Sequence, residues 1–450
     1  MQLNYKLVWI VLLGFSVFTA CDVLDQEPQL QVDPERVFTS ENLARSAVNG
    51  LYDALQDEAY YGAYLQYSSD NYSDIAFYAG FIVGFLELDE GVVPASNENI
   101  QLIWGEIFKT INGCNEVING IPLIEDENFT PEERNQLLGE ARAIRALANM
   151  DLLTYFGEHW DLNSQFGNQL ITQSNGGDFT RIENPARSSV AETYQTIIDD
   201  LKFAESAVAD SDDNSRVNLA FVQGLLARVY LFQGDYAQAE TYATQVIENP
   251  NFGLNPDVLE IYQSDLTQES IFELVYSTLD PSQLALYTIR RDEVRPDPNF
   301  IATFMEGDQR RNLIGPVPGI TGERFLKAED SATDENPAYI MRMAEMYLIR
   351  AEARFLKAQP DVAGAWADLN AVHTRAGLAP YEGADQTDFV DKLLDEYAWE
   401  FFAEGHRFPA LVRLGKAEEI LGLAPFRRIY PIPTRELNVR DTKLVQNPGY

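Results

Sequence analysis

Apolar residues recur with a helical period along most of this chain, and the places where that period fails divide it into parts. In residues 40–56, Leu43, Ala47, Leu51 and Leu55 fall on one stripe, and Ser40 stands where a helix N-cap belongs. Residues 130–157 open with Thr130, Pro131 and Glu133, a capping box with proline at the first helical position, and close at Gly157. Over 218–250, Leu226, Ala227, Tyr230, Gly234, Tyr236, Ala239 and Pro250 keep the tetratricopeptide register, with Gly234-Asp235 as the turn between two antiparallel helices. Residues 339–377 repeat the arrangement with a longer turn around Pro360, and 104–156 reads as a third, degenerate pair. One such pair cannot bury its own apolar face, so neighbours must stack. The period is lost over 57–103 and 158–187, rich in Gly, Asn, Asp and Tyr, and over 250–338, where one strand-like run (270–277) precedes a proline-rich stretch. The pattern predicts a mainly α fold: tetratricopeptide-like helix pairs stacked into a scaffold, with long irregular loops and minor β structure. Loops of that length in a compact protein are usually functional or disordered rather than filler.

The first residues follow a different logic. Lys6 precedes "LVWIVLLGFSVF" (7–18), twelve residues without a charge, and then small Thr19 and Ala20 lead to Cys21. A positive start, a short apolar run and small residues form an export signal, and the run is too short to cross a hydrocarbon core of about 30 Å as a helix. "FTAC" resembles a bacterial lipobox, which implies cleavage before Cys21 and acylation of that cysteine. The acidic segment that follows reads as a solvated tether. Cys114, the other cysteine, shares a helical face with Ile107, Ile111 and Ile118 and reads as a small core residue. With 33 Lys+Arg against 70 Asp+Glu, the surface repels nucleic acid, whose affinity for proteins rests on cationic side chains.

The C-terminal third carries five ordered motifs: "AEMYLIRAEARF", "LNAVHTRAGL" (369–378), "LLDEYAWEFFAEGHRF" (393–408), "LVRLG" (411–415) and "YPIPTREL…LVQNPGY" (430–450). Together with "EARAIRALANMDLLTYFG" (140–157), "NLARSAVNGLYDAL" and the lipobox, they resemble the SusD/RagB family over essentially the whole chain. The resemblance implies a signal peptide over 1–20, a tether over 21–39 and a single SusD-like domain over 40–450. Within that domain lie a helical region (40–250), a loop-rich region (251–338) and the motif region (339–450). It also implies a lipid-anchored, surface-exposed outer-membrane protein without catalysis. Such a protein binds oligosaccharide and passes it to a SusC-like TonB-dependent transporter. A peptide-binding member of the family is the alternative, and a surface glycosidase a further one.

The residues give little sign of catalysis. His159, His373 and His406 lack the close spacing of a zinc site, and "DSDDNS" (210–215) lacks the glycine and terminal glutamate of a calcium loop. No phosphate loop, dinucleotide fingerprint or G-x-S-x-G motif occurs. No catalytic, cofactor or metal residue is therefore assigned. Glu400 and Glu404, one helical turn apart, are expected to pair with Arg407 or Arg413 rather than form a catalytic dyad. A binding site has better candidates, because sugars present apolar C–H faces and hydroxyls that suit aromatic rings flanked by polar side chains. In 60–81, eight aromatics lie among Ser, Asn and Asp, and Tyr72, Tyr78 and Phe81 fall in its irregular part. Tyr287, Arg290 and Phe300 stand on the second long loop.

Overall fold

The computed structural model describes residues 38–174, 183–329, 332–381 and 388–450; Cys21, the leader and the tether as far as residue 37 lie outside them. In chain order, α1 (Glu41–Gln56) and α2 (Tyr64–Asn71) lead to β1 (Ala76–Tyr78) and α3 (Val83–Asp89). The long helices α4 (Glu98–Gly120), α5 (Pro131–Phe156) and α6 (Val190–Ala207) follow, then α7 (Leu219–Gln233) and α8 (Tyr236–Ile247). The loop-rich stretch holds β2 (Ser270–Leu274), β3 (Val294–Pro296), α9 (Pro298–Thr303), β4 (Ile314–Pro316) and β5 (Glu323–Phe325). The chain then runs through β6 (Ala338–Arg342), α10 (Met343–Leu356), α11 (Val362–Arg375), α12 (Phe389–Phe401), α13 (Arg407–Arg413), α14 (Ala417–Leu421) and α15 (Thr434–Leu437). The helix pairs stack as expected: α4 on α5, α5 on α6, α6 on α7, α7 on α8, α8 on α10 and α10 on α11.

Local chemistry explains the boundaries. The Thr130 hydroxyl accepts from the Glu133 amide, and the Glu133 carboxylate accepts from the Thr130 amide. Gly234 ends α7 in the left-handed conformation (φ 83°), where a side chain would be strained. Small residues let α5 be covered on several sides: Ala141, Ala143, Ala146 and Ala148 are all fully buried. Gly224 on α7 serves the same end, since a Cβ there would lie 2.3 Å from Met341 Sδ on β6. Cys114 is buried and free in the core of α4.

Two expectations are corrected. Residues 57–103, expected to be irregular, contain α2 and α3, which are too short to show their period. The repeat expected to begin at 339 begins with β6, which pairs antiparallel with β2 through a bulged register; the helix starts at Met343. The other strands pair as β1 with β3 and β4 with β5. Three separate two-stranded ladders are all the sheet found among the described residues.

A buried ionic network fastens the loop-rich stretch to the C-terminal helices. Arg342, at the end of β6, meets Glu269 (3.0 Å), Glu400 (2.9 Å) and Glu404 (2.9 Å). Arg375 holds the same Glu269 and Glu400, Lys327 reaches Glu404, and Arg310 joins Asp308 and Glu396. Glu400 and Glu404 therefore do not pair with Arg407 or Arg413. Arg407 binds Asp74, and Arg413 binds Glu352. Partners so distant in sequence cannot be read from helical spacing.

Candidate functional site

The antiparallel pairing of β1 with β3, Ala76 opposite Pro296 and Tyr78 opposite Val294, brings the two long loops together at their tips. Tyr78 is 4% exposed; its ring stacks on Phe85 and its hydroxyl donates to Glu293 Oε2 at 2.9 Å. The Ile82 amide donates to that same hydroxyl, and the Ala79 amide to the Glu293 carbonyl. Gly80 lies flat on this pair: a Cβ would fall 2.4 Å from the Tyr78 hydroxyl and 2.6 Å from Glu293 Cγ. The tightly held turn throws Phe81 outward, 92% exposed, with Val83 beside it on α3. A phenyl ring held outward on a fixed loop, with an exposed valine beside it, offers an apolar contact face to a ligand.

Behind Phe81 the polar groups are interlocked. Arg291 pairs with Glu293 at 2.8 Å and lies 5.1 Å from the centre of the Tyr287 ring. The Tyr287 hydroxyl donates to the Glu58 carboxylate and meets the Tyr64 hydroxyl, and its ring packs edge-on against Tyr64. Burial, reinforced by Glu58 and Tyr64, raises the Tyr287 phenol above its ordinary pKa, so it stays protonated as a donor. The surface thus combines one free aromatic face with guanidinium, carboxylate and hydroxyl groups already oriented by one another.

The six predicted ligand residues divide accordingly. Phe81 is exposed, and Arg290 is exposed but paired with Asp334 at 2.7 Å. Tyr78 and Tyr287 belong to the same cluster as its buried support, not as open platforms. Tyr72 and Phe300 are corrected more fully. Tyr72 is 3% exposed between Phe408 and Tyr430, and Phe300 is 4% exposed against Phe304 and Phe402. Both are core rings away from the cluster: Tyr72 closes α2 and packs on the C-terminal segment, and Phe300 is the buried residue of α9. Glu293, Gly80 and Glu58 were not foreseen; contacts beside the β1–β3 ladder reveal the first two, and the bond from Tyr287 reveals Glu58.

Elsewhere the chemistry is structural. Burial lowers His159 to about 3 and His406 to about 4, so both are neutral, while His373 bonds Glu396 at 2.6 Å. Among the described residues no group of His, Cys, Asp or Glu side chains could hold a metal ion. An interior cavity of about 70 Å³ is lined by Asp151, Tyr61, Arg228, Glu345 and His406. Asp151 there accepts from the hydroxyls of Tyr60 (2.6 Å) and Tyr61 (2.8 Å). Burial pushes its carboxyl up to about 6, against the lowering by those two bonds.

Residues 22–231 match the family model described as "Starch-binding associating with outer membrane", and residues 324–425 match that of the "SusD family". The chain belongs to the SusD/RagB family. SusD-like protein P25 of Formosa agariphila is 20% identical over the whole of both chains. Starch-binding protein SusD of Bacteroides thetaiotaomicron is 24% identical, over 73% of this chain and 75% of its own. Among solved structures, a SusD superfamily protein from Bacteroides thetaiotaomicron superposes with TM-score 0.79 at 25% identity, covering 91% of this chain and 100% of that one. A laminarin-binding SusD-like protein gives 0.76 at 21% identity, a likeness of fold, over 92% of this chain and 100% of that one. The SusD/RagB motif "EFFAEGHRF" of this chain is accounted for by the buried ionic network, since Glu400, Glu404 and Arg407 all face partners inside the protein.

Proposed function

We propose that this protein binds an oligosaccharide at the surface built around Phe81 and delivers it to a SusC-like TonB-dependent transporter at the outer membrane. The carrying observation is the 92% exposed Phe81 ring on a turn clamped by Tyr78, Gly80 and Glu293. A flat apolar ring matches the C–H face of a sugar, and the exposed Arg291 and Glu58 with the half-buried Tyr64 supply donors and acceptors for its hydroxyls. The starch-binding and laminarin-binding relatives support that ligand class. No nucleophile or acid pair is required for capture and release, so the role is binding without catalysis.

A glycan array spanning neutral, uronate-bearing and sulfated glycans tests the reading. Binding by the wild-type chain, weakened about tenfold or more in Phe81→Ala with an unchanged melting temperature, is the expected outcome; a loss of about 1.4 kcal/mol corresponds to tenfold. A blank array alongside peptide binding would move the protein to the peptide-binding branch, and release of shortened sugars would make it a glycosidase. The protein is held to the membrane by acyl chains on Cys21, because stable anchoring takes more than one chain. Cys21→Ala is expected to leave the protein in the soluble fraction after cell lysis; retention in the membrane fraction would refute the anchor.

A further inference from the structure

At the end of α3 remote from Phe81 lies a groove of about 380 Å³, within the range of small-ligand pockets. One wall is the turn Leu88–Val92, and the other is the segment 421–427 that links α14 to the C-terminal motif. Arg427 bridges the walls, its Nη1 donating to the Gly91 carbonyl at 2.9 Å, and the Tyr72 hydroxyl ties the floor to the Arg427 carbonyl at 3.1 Å. Asn71 is part of the lining. It is 2% exposed, yet neither its Oδ1 nor its Nδ2 has a hydrogen-bond partner among the described residues. Buried polar side chains are nearly always satisfied, so an amide left with both donor and acceptor free calls for a ligand group or water that supplies both.

We infer that this groove is a second subsite, for a neutral hexose unit of the same oligosaccharide chain that stacks on Phe81. The inference rests on the glycan reading above. A sugar hydroxyl is donor and acceptor at once, which is what the Asn71 amide lacks. The Asp89 and Glu90 carboxylates accept further hydroxyls, and Val92 with the edge of Leu423 offers aliphatic surface to C–H groups. The mixed lining has no cationic cluster that would select an anionic sugar. Five residues of α3, Val83–Glu87, separate the groove from the Phe81 turn, about 7 Å at 1.5 Å per residue. An oligosaccharide of a few units spans that distance, and a second contact on one chain raises affinity through effective concentration.

The test is calorimetry with malto-oligosaccharides and with β-1,3-linked gluco-oligosaccharides, each from disaccharide to hexasaccharide. The wild-type chain is expected to bind the longer members of one series about tenfold or more tighter than its disaccharide. Asn71→Leu and, independently, the exposed-position variant Val92→Trp are expected to erase that gain and leave disaccharide affinity intact. A length gain that survives both groove variants and disappears only in Phe81→Ala overturns the second subsite alone. Failure of both neutral series when the array shows another glycan class bound also overturns it and leaves the glycan reading standing. A blank array overturns both.

Discussion

At the scale of single residues, burial decides what a side chain does more than its chemical type. Tyr72 and Phe81 lie nine positions apart in one aromatic-rich stretch, yet one is core and the other nearly free of contact. Asp151 shows the same rule for charge. Its carboxyl sits at about 6 in the folded chain because burial penalises the anion, against an ordinary value near 3.9. A raised acid binds its proton more tightly when folded, so the folded state gains stability as pH falls from above 6 toward 4. The shift corresponds to about 3 kcal/mol. Asp151→Asn is therefore expected to raise the melting temperature at pH 8 and to flatten its pH dependence between pH 8 and 5. A variant whose profile parallels the wild type would show that Asp151 does not titrate there.

At the scale of elements, the loop from β1 to α3 can present the proposed binding surface because it is held rigid. Gly80 has no room for a Cβ against the Tyr78 hydroxyl and Glu293. Gly80→Val is expected to cost about 1–3 kcal/mol through overpacking and to weaken glycan binding as strongly as Phe81→Ala, although only the former lowers the melting temperature. Denaturant titration and calorimetry on the two variants separate presentation of the ring from the ring itself. Equal stability of Gly80→Val and wild type would show that the clamp is loose. The helices were far more legible. The capping box at Thr130 and the left-handed Gly234 are local features, and each fell where the sequence placed it. The short α2 and α3 were not legible, since one or two turns do not establish a period.

At the scale of the whole molecule, the buried network joins β2, β6, the loop-rich stretch and the C-terminal helices into one body. Arg342 is 1% exposed among three carboxylates. Burial would raise Glu404, but Arg342 and Lys327 hold it below its ordinary value; Arg375, Arg342 and Arg310 do the same for Glu400. A depressed acid contributes stability that is present above its unfolded pKa and lost as pH falls through the folded one. The wild-type chain is thus expected to lose stability as pH drops below about 4. Arg342→Met leaves those carboxylates short of a partner, a cost of about 3–5 kcal/mol near neutral pH. The deficit should shrink in acid, and urea titrations at pH 7 and pH 4 measure it. A constant deficit would mean the loss is one of packing rather than charge.

The sequence by itself determined the helical scaffold, its caps, the core position of Cys114 and the family motifs, because helix period and capping act over a few residues. It also pointed to two loops as the place to look for a ligand surface. Only the tertiary structure decided which members of those loops face outward. Phe81 is free and Tyr72, Tyr78, Tyr287 and Phe300 are not, because rings of other elements claim each of them, as Tyr430 does Tyr72 and Phe402 does Phe300. The same holds for Glu400 and Glu404, whose arginines come from β6 and α11 rather than the next turn. Charge and aromatic character are written residue by residue, but burial is a property of the packed whole.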